Sequence, residues 1–278
     1  IERFDEDYGS VDRFEIAATS PLRRGRLGEL YRNELAELAG MNFDELNHDE
    51  QVDYILFKNF LDHEIKEQAR TDTQMPEMAS LLPFAATING LEDARRRPEF
   101  ADPAKTAGVL NELGKTIEAA EKSGFADKSV RAPRTVAYRA ARTVGELRNT
   151  LKRWYTFYNA YDPMFTWWCE SPYKSADDAL AKYQTYISEK LVGIRPDDKT
   201  TIIGDPIGRE ALIQELKFEM IPYTPEELIA IANKEFEWCQ AELKKASREM
   251  GYGDDYMKAI EAVKQNYVEP GKQPELIK

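Results

Sequence analysis

Apolar residues recur along this chain at intervals of three and four, the spacing that gathers them on one face of a helix. Residues 22–39 place Leu27, Leu30, Tyr31, Leu35 and Leu38 on one such face. Residues 49–69 repeat the pattern with Val52, Ile55, Leu56, Phe60 and His63, with the cap expected at His48 and Asp49 after the polar Asn47. Residues 75–90 are mostly apolar through Met78, Leu81, Leu82, Phe84 and Ile88, and Pro83 is expected to kink this run or open a second helix. Asp102-Pro103 opens the next helix, with Val109, Leu110, Leu113 and Ile117 inward and Gly124 at its end. A longer pattern from 133 to about 160 carries Val136, Ala140, Val144, Leu147 and Leu151. Residues 173–191 and 254–267 read as further helices. There is no alternating strand pattern, no Gly-rich phosphate loop and no fixed repeat of about 34 or 40 residues. The expected fold is all-α, a stacked bundle of long antiparallel helices.

The sharpest local grammar lies in 204–250. Thr224 can cap a helix, Pro225 falls at its first position, and Glu227 stands three residues after the cap, as a capping box requires. Leu228, Ile231, Ala232, Cys239 and Leu243 follow at helical spacing, expected to face inward, and Gly251 and Gly253 stop the run. About 26 residues at 1.5 Å each make a rod of roughly 40 Å. Upstream, a Gly204-Asp205-Pro206-Ile207-Gly208 turn feeds a helix carrying Ala211, Leu212, Leu216 and Met220, which Pro222 ends. The two helices are expected to form a hairpin with a tight corner.

The 278 residues allow a sizeable core. They read as a single helical domain over 1–278, or as the amino-terminal part of a larger one, with a possible sub-division near 125–132. No run of about 18 apolar residues offers a membrane span. The formal net charge of −12 argues against a nucleic-acid surface, which needs a basic stripe to displace counterions. It suits solubility and would also favour cationic ligands. Two cysteines, Cys169 and Cys239, do not make a disulfide framework and are expected to be buried free thiols. No signal peptide is legible, which points to the cytoplasm. The chain starts at Ile1 and ends on Pro274-Glu275-Leu276-Ile277-Lys278 without a closing stop signal, so a fragment or a processed chain is expected.

Candidate chemistry is sparse. His63-Glu64-Ile65-Lys66-Glu67 falls one residue short of the zinc motif HExxH, in which two histidines four apart share a helical face. A His63/Glu67 pair could hold a metal weakly; the commoner role for His63 is a hydrogen-bonded helix residue. The chain has only two histidines, so it offers no His-rich zinc site, and no metal ligand is assigned. The densest aromatic stretch runs from 154 to 173, punctuated by Pro163 and Pro172. Its rings could line a pocket, with Tyr161, Trp167, Trp168 and Tyr173 as the candidate substrate-binding residues. Core packing at a bent helix junction is the commoner use of such rings. The Asp177-Asp178, Asp197-Asp198 and Asp254-Asp255 pairs read as caps or solvated surface, and Arg95-Arg96-Arg97 as a solvated helix end. No catalytic residue can be assigned.

Residues 208–239, GREALIQELKFEMIPYTPEELIAIANKEFEWC, with VEPGKQPELIK at 268–278, DYILFKNFLDHEIKEQ at 53–68 and YDPMFTWWCESPY at 161–173, resemble the domain of unknown function 885 family. The resemblance implies a mostly helical zinc metallopeptidase of the gluzincin type, similar in plan to the carboxypeptidase Taq group. It also implies that the zinc motif lies beyond the region corresponding to Lys278, since no position here matches it. On this resemblance the chain would be one wall of a cleft-type helical metallopeptidase fold. It would be the substrate-wall portion of a zinc-dependent peptidase-like hydrolase, inactive alone, with no cofactor of its own and zinc in the full-length protein. Its partner would be a carboxy-terminal catalytic half in the same or a separate chain, and its substrate small and peptide-like. A stand-alone helical ligand-binding or scaffold module is the alternative.

Overall fold

The computed structural model describes residues 1–97, 100–126, 132–195, 197–198 and 200–277. Among them every regular element is helical, and the contacts divide the chain into two units, Ile1–Pro206 and Ile207–Lys278. The sub-division expected near 125–132 falls on residues 127–131, outside those described.

The first unit carries α1 (Glu2–Phe14), α2 (Pro21–Ala39), α3 (His48–Glu77), α4 (Ala85–Arg95), α5 (Pro103–Ala126), α6 (Arg134–Tyr158) and α7 (Pro163–Tyr186). A π-helical turn, Ile187–Val192, continues α7 and stops at Gly193, whose φ of 79° is left-handed. The main core lies where α5 packs along α7 and α6 packs on α7 and α4. The periodicity of α5 and α6 explains it. Leu110, Leu113 and Ile117 of α5 and Val136, Ala140, Val144, Leu147 and Leu151 of α6 are buried in one core with α7, as their spacing predicts, whereas Val109, expected inward, lies at the edge of that face and is exposed. Each large apolar side chain taken fully from water contributes about 1.5–3 kcal/mol. α7 adds Phe165, Cys169, Ala176, Leu180 and Tyr183. Pro172 does not punctuate this helix but sits inside it. Its missing N–H forfeits one hydrogen bond, and the buried residues on both sides hold the helix against α5 and α6.

A smaller core joins α1, α2 and α3 through Phe4, Leu27, Tyr31 and Leu61, with Phe57 and Phe60 packed on it. Here the structure corrects the expected face of α3. Val52, Ile55 and Leu56 are exposed, and the inward stripe is Phe57, Phe60, Leu61 and Ile65. Both sets have helical spacing; α1 and α2 cover only the second. The start of α3 is a capping box, with Asn47 and Glu50 exchanging side-chain and backbone bonds.

Between these cores lies a buried polar joint. The Thr19 hydroxyl donates to Asn89 Oδ1 at 2.7 Å, and the Asn89 amide donates back to the Thr19 carbonyl at 3.1 Å. Ser20, the cap of α2, also donates to Asp93, at 3.2 Å. Glu92, 1% exposed, meets Arg95 of its own helix and Arg96 just past its end, and buried Glu15 meets Arg26 at 2.6 Å.

The second unit holds α8 (Arg209–Phe218), α9 (Pro225–Glu249), α10 (Tyr256–Lys264) and the short α11 (Gln273–Ile277). The predicted capping box opens α9. The Thr224 hydroxyl accepts from Glu227 N–H at 3.2 Å, and the Glu227 carboxylate accepts from Thr224 N–H at 2.7 Å. Gly251 ends it with φ 84°, a conformation that favours glycine. The expected inward stripe is not covered. Ile231, Cys239 and Leu243 are exposed, as are Ile229, Phe236 and Trp238. Among the described residues of this unit only Ser247 and Ala259 are fully buried, because the helices around α9 form no second layer over it.

Candidate functional site

The turn between α6 and α7 sets the geometry of the aromatic stretch. α6 ends at Tyr158, and Ala160 takes a φ of 65°, uncommon for a residue with a side chain. A small network holds it there. Ala160 N–H donates to Thr166 Oγ1 at 3.0 Å, while the Thr166 and Tyr155 hydroxyls both donate to Asn159 Oδ1, at 3.1 and 3.2 Å. Asp162 then caps α7, accepting from Met164 N–H at 2.9 Å, and Pro163 occupies the first helical position.

This turn divides the rings into two groups. Trp154, Tyr155 and Phe165 are buried, with Tyr158 wedged against Phe165 at a centroid distance of 4.9 Å. Tyr173 joins them, stacked on Tyr155. Tyr161 and Trp167 stand out in solvent, 88% and 72% exposed, and Trp168 is 41% exposed, edge-on to Trp167 at 5.0 Å. Of the four candidate residues, Tyr161 and Trp168 share one open depression of about 600 Å³ with Phe100, Asp102, Asp162 and Met164. Trp167 touches it through Trp168, and Tyr173 faces the core instead. Asp102 caps α5 as Asp162 caps α7, accepting from Lys105 N–H at 2.9 Å. The depression is thus lined by rings and by the starts of two helices. Phe100 and Asp102 were not legible as site residues, because they lie some sixty residues from the aromatic stretch.

A second, larger groove of about 790 Å³ has the opposite character. Arg95, Lys152 and Arg153 line it with Asn149, Thr156 and Phe157. The Arg95 guanidinium lies 4.6 Å from the Phe157 ring centroid while paired to buried Glu92. The Arg95-Arg96-Arg97 run is therefore not a simple solvated helix end: its first two members are held by Glu92. The acidic pairs behave as caps and ion pairs. Asp177 grips Arg148 through both oxygens at 2.7 and 2.8 Å. Asp254 pairs with Arg248, and Asp255 caps α10. Bonds from Thr201 and Thr200 hold the Asp198 carboxyl well below the usual carboxylate range.

The donor set does not fit the two-histidine zinc site that the gluzincin resemblance implies. His48 and His63 stand 15 residues apart on α3, about 22 Å along the axis, too far to share an ion. His63 and Glu67 do share a face, with ligand atoms within 4.8 Å, and Glu67 is also paired to Arg70. Cys169 offers no nucleophile. Its Sγ donates to the Pro103 carbonyl at 3.5 Å, and burial pushes the thiol up to about 11.

Among the described residues no helix is long and apolar enough to cross a membrane. No curated protein and no solved structure matches the chain. The sequence does match, over residues 7–276, the family described as bacterial protein of unknown function (DUF885). With all but a few terminal residues aligned to it, the chain belongs to that family.

Proposed function

We propose that this chain is the amino-terminal, helical substrate-wall portion of a zinc-dependent peptidase-like hydrolase. Its zinc-bearing residues would lie in a carboxy-terminal portion, on the same or a separate chain. The observation that carries this reading is the uncovered apolar surface of α9. Phe236 and Trp238 are 62% and 61% exposed on nearly opposite sides of one helix. A helix apolar on more than one side is one that another layer covers. The separation of the two histidines supports placing the metal outside this chain. Tyr161, Trp167 and Trp168 would form the wall that a peptide-like substrate meets, with Tyr173 behind it.

The purified 278-residue chain is expected to hold no stoichiometric zinc and to cleave no peptide. The protein taken intact from its source is expected to carry about one zinc per copy. Stoichiometric zinc and peptide cleavage by the isolated chain would overturn the reading.

The depression at the starts of α5 and α7 favours a second reading, a stand-alone helical ligand-binding module, since all its walls come from the first unit. A native mass equal to this chain alone, without metal, would select that reading.

A further inference from the structure

We infer that the depression at the starts of α5 and α7 is a site for a cationic group, an alkylammonium or guanidinium carried by a small ligand or a peptide side chain. The inference rests on reading this surface as ligand-facing, and not on zinc chemistry.

Three rings and a thioether line the depression: Phe100, Tyr161, Trp168 and Met164. Phe100 and Tyr161 are 80% and 88% exposed, an arrangement with no role in the core. Aromatic faces carry negative charge in their quadrupole and attract a desolvated cation. Asp102 and Asp162 add two full negative charges to its lining. Each uses Oδ1 to cap its helix, and among the described residues neither Oδ2 has a hydrogen-bond partner. The opposing influence is the positive end of each helix, roughly half a charge apiece. Two carboxylates against two helix ends leave about one net negative charge, so the depression selects cations and not the anions that bare helix starts attract. Among the described residues no lysine or arginine lines it. Its volume of about 600 Å³ falls within the range of small-molecule sites, roughly 300–1,000 Å³. The groove lined by Arg95, Lys152 and Arg153 differs in carrying three cationic side chains against one carboxylate, Glu146.

The test is a titration of the 278-residue chain at constant ionic strength with tetramethylammonium chloride and with neopentyl alcohol, a neutral molecule of nearly the same shape. The readout is the indole N–H resonance of Trp168 in a nitrogen-15 spectrum, assigned by its loss in Trp168→Phe. The ammonium ion is expected to shift that resonance saturably and to bind about tenfold more tightly than the alcohol. Asp102→Asn and Asp162→Asn keep the helix caps, because asparagine caps as well as aspartate, and each should weaken ammonium binding several-fold. Equal binding of the two probes would overturn the inference in favour of a merely apolar depression. A Trp168 resonance that neither probe moves would overturn it outright. Either failure leaves the peptidase reading to its own measurement of zinc and cleavage.

Discussion

Tyr155 and Tyr173 lie face to face, ring centroids 3.8 Å apart and planes within 3° of parallel. This stack joins α6 to α7 and takes Tyr173 out of the exposed aromatic surface. Tyr173→Ala is therefore expected to cost about 2 kcal/mol of stability, from lost stacking and lost burial. Trp168→Ala, at a residue 41% exposed and outside the main core, should cost less, about 1 kcal/mol. Urea unfolding midpoints of the two variants check the difference. Equal losses would mean that Trp168 is as much a core residue as Tyr173.

Tyr183 makes stability fall in alkali. Its hydroxyl donates to the Leu81 carbonyl at 2.9 Å, and burial pushes it up to about 12, with Tyr186 and Glu121 adding smaller upward effects. A folded-state value above the unfolded value of about 10 favours the neutral phenol. Its contribution is complete below pH ~10 and is lost as pH rises through about 12. Burial raises Tyr31, Tyr155 and Tyr186 in the same direction. Urea midpoints should fall steeply between pH 10 and 12. Tyr183→Phe should lower the midpoint at pH 8 by the equivalent of about 1 kcal/mol and make the alkaline fall shallower.

The two cysteines should differ sharply in reactivity. Cys239 is exposed on α9, while Cys169 is buried with its thiol raised to about 11. At pH 8 about one Cys169 in a thousand is thiolate, and that fraction is shielded. A disulfide reagent should modify one thiol per native chain quickly and the second only in denaturant. Cys239→Ser should abolish the fast reaction.

Glu92 is a buried charge beside the joint between the cores. It is buried, its carboxylate meets Arg95 Nε at 3.1 Å, and Arg96 lies 3.5 Å away. Glu92→Ala would leave both guanidinium groups partly buried without their partner, at a cost of roughly 2–4 kcal/mol. Glu92→Gln keeps a hydrogen-bond acceptor and should cost less. Because Arg95 also stacks on Phe157, Arg95→Met should retain more stability than Glu92→Ala. Thermal unfolding of the three variants gives the order.

Local chemistry determined much of this protein before any contact was known. The capping box at Thr224, the Asp102-Pro103 start of α5, and the buried faces of α5 and α6 follow from residues within one or two turns of each other. The tertiary structure decided which apolar stripe a helix buries. On α3, Val52-Ile55-Leu56 and Phe57-Phe60-Leu61 have equally good helical spacing, and only the second lies under α1 and α2. On α9 the stripe was legible, but its exposure was not, since periodicity says which residues share a face and not whether anything covers it. The aromatic depression belongs to the same class. Tyr161, Asp162 and Trp168 stand together in sequence, but Phe100 and Asp102 reach them only because α5 packs along α7. The period of a helix is set by its own backbone, whereas the neighbour that completes a core or a site arrives from elsewhere in the chain.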